Sequence, residues 1–314
     1  KLMSDCAEAA ASLRIDAPPD RLHAACMNIA LPAMQISHLA APDGTQLCLR
    51  DWPVAASTRA RATVLIVNGL GEHGGRYEAL ARTRNEWGFA VRAYDHYGHG
   101  LSGGPRGGLS SDMRLLDDLA VVMDATRAAM PYQQPLVLLG HSLGGLVAAD
   151  FVAAGMRHVD ALVLSSPALA LHLSGVQKIL MEYLPKLVPN LRIANGVQSR
   201  HLSHDAAVVK AYDDDALQHN RISARLAGYM RGGGGRVQAK ARHWSVPTLL
   251  MWAGQDKLVN PAGSALLAEH APAAVLQAQC FDQAYHEIFN ESPELAAPVF
   301  ARLEQWLNQQ FPAA

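Results

Sequence analysis

Cysteine is scarce in this sequence and never clustered. Cys6, Cys26, Cys48 and Cys280 stand far apart, with no C-x-x-C pair among them. A disulfide framework or a structural zinc site needs denser spacing. The thiols therefore read as buried or idle groups in a reducing, cytoplasmic compartment. Long apolar runs are missing too: none reaches the roughly 18 uninterrupted residues of a membrane span. The nearest, Pro135 to Met156, contains His141, Ser142 and Asp150 and reads as buried core. Nor is one sign of charge in excess. Lys and Arg number 27 against 28 Asp and Glu, a formal net charge of −1. Without a basic block, a nucleic-acid partner has no phosphate-neutralising surface to bind. Residues 22–34 are mildly apolar, but a polar Pro-Pro-Asp-Arg segment precedes them and no small-residue cleavage pattern follows, so no secretory signal is expected there.

What is present is the composition of a folded protein. Half of the 314 residues are hydrophobic and only 18% are charged, which excludes global disorder. The length fits two domains, or one large α/β domain with an insertion. Short apolar runs alternate with longer helix-patterned stretches. The runs are Gln35–Ala40 and Gln46–Trp52, read as a hairpin around Asp43-Gly44, then Thr63–Asn68, Ala90–Asp95, Leu136–Gly140, Ala161–Ser165, Thr248–Ala253 and Val275–Phe281. The middle ones are apolar without alternation, as strands of a parallel sheet covered on both faces must be. Residues 112–130 read as an amphipathic helix, with Leu115, Leu119, Val122 and Met123 on one face and Ser110-Ser111 as capping candidates. Such alternation implies a doubly wound, mostly parallel α/β sheet with ligands beyond the carboxyl ends of its strands.

One interval interrupts the pattern. Some 80 residues after Ser166 carry no strand signal, and a structureless loop of that length is improbable. Within it, residues 173–188 place Val176, Ile179, Leu180, Tyr183, Leu184 and Leu187 along an apolar face. The expected organisation is an N-terminal extension (1–34), a first core segment (35–167), a helical cap (168–231) and a second core segment (232–314). Gly232–Gly235 reads as a flexible return to the sheet.

The sharpest chemical signal is Gly140-His141-Ser142-Leu143-Gly144, set between the apolar strand and the helical run Leu146–Met156. G-x-S-x-G in a strand-turn-helix context is a nucleophile elbow. Side chains at Gly140 or Gly144 would collide across so tight a turn, and the serine hydroxyl is left at a helix N-terminus, where developing negative charge is favoured. Such a serine needs a base, and the base an orienting acid, in the chain order Ser, acid, His. Asp256 lies at the carboxyl end of the strand Thr248–Ala253, after Gly254-Gln255, and His286 follows the strand Val275–Phe281. Oxyanion donors are expected from the backbone N–H of Leu143 and from Leu70, which lies between two glycines in Asn68-Gly-Leu-Gly-Glu72. Glu72 and Arg76, four apart, are placed to pair. His96 and His99 have a metal-like spacing but no third ligand, so no metal is expected.

Residues 68–77 (NGLGEHGGRY), 94–103 (YDHYGHGLSG), 140–145 (GHSLGG), 251–260 (MWAGQDKLVN) and 282–287 (DQAYHE) together resemble the monoacylglycerol lipase and lysophospholipase family of serine α/β-hydrolases. The likeness runs from about residue 45 to 307 and extends weakly into the insertion, at Leu187–Leu191 and Tyr212–Asp215. It implies the α/β-hydrolase fold, a triad of Ser142, Asp256 and His286, oxyanion donors at Leu70 and Leu143, and no cofactor. Where the family usually has His, this chain has Asn68. The expected substrate is a small-molecule ester or single-chain lipid, in a pocket touching Gly69, His141, Leu180 and Tyr183, with transient membrane-surface contact through the cap. Two alternatives stand beside it: hydrolysis of small esters, lactones or amides, and a non-catalytic binding protein that keeps the pocket.

Overall fold

The computed structural model describes residues 32–313; most of the expected N-terminal extension, and nearly all of residues 22–34, lie outside them. Ten strands are found among the described residues: β1 (Gln35–Ala40), β2 (Gln46–Trp52), β3 (Thr63–Val67), β4 (Ala90–Tyr94), β5 (Leu136–His141), β6 (Ala161–Ser165), β7 (Arg192–Ala194), β8 (Arg221–Ser223), β9 (Thr248–Ala253) and β10 (Leu276–Phe281). Eight of them form one sheet in the order β1-β2-β4-β3-β5-β6-β9-β10. β1 and β2 pair antiparallel, as does β2 with β4, and from β4 to β10 every pairing is parallel.

The non-alternating strands are explained by what each face meets. On β3, Leu65 and Val67 enter one apolar layer while Val64 and Ile66 enter the other. Leu136 and Leu138 of β5 separate from Val137 and Leu139 in the same way. Eight helices are described: α1 (Glu78–Glu86), α2 (Arg114–Ala129), α3 (Leu143–Ala153), α4 (Gly175–Leu187), α5 (Ala206–Asp214), α6 (Ala224–Lys240), α7 (Ala262–His270) and α8 (Pro293–Gln310). Helices α2, α3, α6 and α7 supply the first layer; α1 and α8 supply the second. The chain has the α/β-hydrolase fold. Among the described residues, no helix is long and apolar enough to cross a membrane.

Between β6 and β9 the chain builds α4, α5, α6 and a small β7–β8 ribbon, paired antiparallel. The ribbon corrects the reading of this interval as strand-free, since three-residue strands are too short to show a hydrophobic period. Helix α4 starts with a capping box, in which Ser174 accepts from Gln177 N–H and the Gln177 side chain accepts from Ser174 N–H. It buries no residue completely. Contact with α6 is close because Gly228 has no side chain: a β-carbon there would meet Pro185 Cγ at 2.7 Å.

A second correction concerns Gly232–Gly235, which is not a loop but the middle of α6. Two of these glycines answer to packing. A β-carbon on Gly233 would meet Leu146 Cδ1 at 2.9 Å, and one on Gly234 would meet the Leu169 carbonyl oxygen at 1.8 Å. Tertiary contact thus overrides a local propensity cost of about 1 kcal/mol per glycine. Helix α2, too, begins later than its serines suggested. Its N-cap is Met113, without a side-chain cap bond, and the Ser110 hydroxyl instead accepts from Arg114 at 3.3 Å.

Candidate active site

β5 runs directly into the elbow, and Ser142 has φ 54° and ψ −118°. A non-glycine residue held there stores about 1–3 kcal/mol of backbone strain, tolerated because the surroundings fix it. Ser142 N–H donates to the Ser165 carbonyl at 3.0 Å, and its own carbonyl accepts from Ala168 N–H at 2.9 Å. The two glycines are sterically required: a β-carbon on Gly140 would meet the Gly144 carbonyl oxygen at 2.4 Å, and one on Gly144 the Val67 carbonyl oxygen at 2.0 Å. Helix α3 starts at the next residue, so its unpaired N–H groups face the serine.

Three side chains from separate strand ends meet here. His286 Nε2 lies 2.8 Å from Ser142 Oγ, and His286 Nδ1 lies 2.6 Å from Asp256 Oδ2. The other carboxylate oxygen, Oδ1, accepts from the N–H groups of Leu258 (2.9 Å) and Val259 (3.0 Å). Burial would push the imidazole pKa down, but the Asp256 carboxylate outweighs it, helped by Glu287 and Glu72, and the net shift is upward from 6.5. Burial alone would raise Asp256; the facing imidazole and the two N–H donors hold it below 3.8 instead. This couple favours an imidazolium once His286 has taken a proton.

The loop after β3 passes close by. A β-carbon on Gly69 would meet Ser142 Cβ at 3.3 Å and Glu72 Oε1 at 2.8 Å. Gly69 N–H donates to Glu72 Oε1 at 2.5 Å, while among the described residues the N–H groups of Leu70 and Leu143 have no protein acceptor. Asn68 braces this turn. Its Nδ2 donates to the carbonyls of Gly69 (3.0 Å) and Glu72 (3.1 Å), and its Oδ1 accepts from His96 N–H at 3.4 Å. Arg76 pairs with Glu72, as their spacing suggested, at 2.8 Å, but its other partner was not visible in the sequence. Glu287, next to His286, takes two bonds from the same guanidinium, at 2.5 and 2.8 Å. Burial opposes the Glu287 charge, yet Arg76 holds its pKa down to about 2.

Above Ser142 and His286 lies a cavity of about 400 Å³, walled by Leu171, Leu180, Met181, Leu184, Ile193 and Met230. Gly69, Leu70 and His141 line it as well. Burial and the neighbouring His286 push His141 down to about 4, so it is a neutral wall near pH 7. Tyr183 is not part of this wall and is 57% exposed. It stands about 60° round the helix from Leu180, on a second apolar stripe with Val176, Ile179 and Leu187, all pointing outward.

Residues 58–293 match the family described as Serine aminopeptidase, S33. The chain belongs to that family. A monoacylglycerol lipase of Mycolicibacterium smegmatis is 32% identical over 238 residues, 74% of this chain and 84% of that protein. Human monoglyceride lipase is 30% identical over 287 residues, 89% of this chain and 92% of that one. Among solved structures, the monoacylglycerol lipase of Paleococcus ferrophilus superposes with a TM-score of 0.74 at 31% identity, covering 85% of this chain and 99% of that one. This S33-family member is a serine hydrolase. His96 and His99 contribute core packing in it, with ring centroids 5.7 Å apart. Among the described residues, no group of three His, Cys, Asp or Glu side chains is disposed to hold a metal.

Proposed function

We propose that the protein hydrolyses carboxylic esters of single-chain lipids, monoacylglycerols foremost, through an acyl-enzyme on Ser142. His286 Nε2 removes the hydroxyl proton as Ser142 Oγ bonds to the ester carbonyl carbon. The resulting oxyanion is met by the free N–H groups of Leu70 and Leu143. Collapse breaks the ester C–O bond, and His286 returns the proton to the leaving alcohol. A water, deprotonated by the same imidazole, then releases the fatty acid and regenerates Ser142.

The apolar cavity over the serine is the observation that carries the substrate class. Each buried CH₂ of an acyl chain contributes about 0.8 kcal/mol, so eight contribute about 6, well above the roughly 1 kcal/mol of one head-group hydrogen bond. An aminopeptidase would need a free carboxylate for the substrate ammonium. Glu72 and Glu287 are the nearby acids, and both are engaged by Arg76. Relatives named as monoacylglycerol lipases point the same way. A p-nitrophenyl ester series on the full chain tests this: the reading expects kcat/KM to rise from acetate to octanoate, and an optimum at acetate would reject it.

The outward stripe on α4 supports membrane contact. Val176, Ile179, Tyr183 and Leu187 are 67%, 61%, 57% and 76% exposed, on the helix whose other side walls the cavity. Seated in a lipid surface, it would bring the cavity to its substrate. With Cys48 and Cys280 as free thiols, a cytoplasmic protein peripheral to a membrane is the corresponding location.

A further inference from the structure

The turn carrying Leu70 is held from two directions, and the mechanism above uses only one. From the core, Asn68 holds the Gly69 carbonyl and Glu72 holds the Gly69 N–H. From the insertion, a strap running from Asp215 to His219 holds the other end. His219 N–H donates to the Gly71 carbonyl at 2.9 Å. Gly71 has φ +78°, and a β-carbon there would meet the His219 carbonyl oxygen at 2.4 Å, so the two backbones lie directly on each other. Two residues on, His73 Nε2 lies 2.7 Å from Asp215 Oδ2. The tautomer follows from the other ring nitrogen, because His73 Nδ1 accepts from Gly75 N–H at 3.1 Å. The ring proton is therefore on Nε2 and is donated to Asp215. The second carboxylate oxygen of Asp215 caps its own strap, accepting from Leu217 N–H at 2.8 Å. Leu70 thus sits between a residue fixed by the core and a residue fixed by the insertion.

We propose that Asp215 is a positioning residue for the hydrolytic step: by bonding His73 it seats the 215–219 strap on the oxyanion loop and so aims the Leu70 N–H at the developing oxyanion. The proposal rests on the ester-hydrolase reading of the same site. Asp215 lines no part of the acyl cavity and reaches neither Ser142 nor His286, so it acts through the loop alone. Its effect falls on kcat rather than on substrate affinity, and it falls on every ester alike, including one too short to touch the cap.

The test uses the full chain and p-nitrophenyl acetate, with Ser142→Ala as the control. Losing an oxyanion donor outright costs about 10²–10³ in kcat, so misaiming one is expected to cost about 10- to 100-fold. Asp215→Ala should lower kcat by that amount, leave KM within about twofold, and leave the unfolding temperature within a few degrees. Wild-type kcat in Asp215→Ala, or a loss appearing mainly in KM, would overturn the proposal. Should Asp215→Ala not fold, His73→Leu removes the same bond while keeping bulk, and is judged by the same kcat criterion. If the wild-type protein shows no Ser142-dependent hydrolysis, the ester reading fails and this proposal falls with it. If wild type is active and Asp215→Ala matches it, only the proposal falls.

Discussion

Replacing Asp256 by Asn changes one atom in the candidate triad and reverses one hydrogen bond. In the native site Oδ1 is already committed to two backbone N–H groups, at 2.9 and 3.0 Å, and Oδ2 alone faces His286 Nδ1, at 2.6 Å. An asparagine keeps its oxygen on those N–H donors and turns its NH₂ toward Nδ1. The imidazole must then accept at Nδ1 and carry its proton on Nε2, where it cannot take the Ser142 proton. Wrong-tautomer changes of this kind lower kcat by about 10⁴ in other triads, or about 5 kcal/mol of transition-state stabilisation. The pH profile gives a second readout. His286 must be neutral to act as base, and its pKa is raised above 6.5, so wild-type kcat/KM should fall as pH drops through a midpoint above that value. With the carboxylate gone, burial has less opposing it, and the residual activity should titrate at lower pH. Stopped assays with p-nitrophenyl butyrate from pH 5 to 9 measure both quantities. A loss under tenfold, or an acid limb that does not move, would refute this account of the Asp256–His286 couple.

Three further outcomes follow from packing. Gly144→Ala drives a β-carbon to within 2.0 Å of the Val67 carbonyl oxygen; overpacking costs about 1–3 kcal/mol or more, so the unfolding temperature should drop by several degrees, and an unchanged value would contradict the steric reading of the elbow. Gly232→Ala with Gly235→Ala should do the opposite. Both sit in α6: a β-carbon at 235 meets nothing within 4 Å, and one at 232 meets only Arg236 Nη1, at 3.1 Å, a nitrogen the paired Asp150 carboxylate does not take, so the double variant should gain up to about 2 kcal/mol by helix propensity and melt a few degrees higher in calorimetry. On the outward stripe, Ile179→Asp with Leu187→Asp should reduce co-sedimentation with phosphatidylcholine vesicles several-fold while sparing turnover of a water-soluble ester; equal sedimentation would remove α4 as the membrane contact.

Much of this structure could be read from residue order, and the reasons are physical. Val64–Val67 and Leu136–Leu139 reveal themselves because burial on both faces leaves no place for a polar side chain. The elbow is legible because its turn admits only glycine at two fixed positions, and the approach of Ser142, Asp256 and His286 follows from three strands ending on one edge. What stayed hidden depends on contacts between distant residues. Glu287 stands 211 residues from Arg76, and nothing local marks them as partners. Gly232–Gly235 imitates a linker until Leu146 and the Leu169 carbonyl are seen against it. Tyr183 reads like Leu180 in the sequence because α4 carries two neighbouring apolar stripes, and periodicity cannot tell the one facing the cavity from the one facing out. The β7 and β8 strands are simply too short to announce themselves.

The central claim is that Ser142 is the nucleophile, made so by His286. Intact-protein mass spectrometry after exposure to a fluorophosphonate tests it most directly. The account predicts one covalent adduct per chain, mapped by peptide digestion to Ser142, absent from Ser142→Ala and strongly slowed in His286→Ala; an adduct elsewhere, or labelling that survives loss of Ser142, would contradict it.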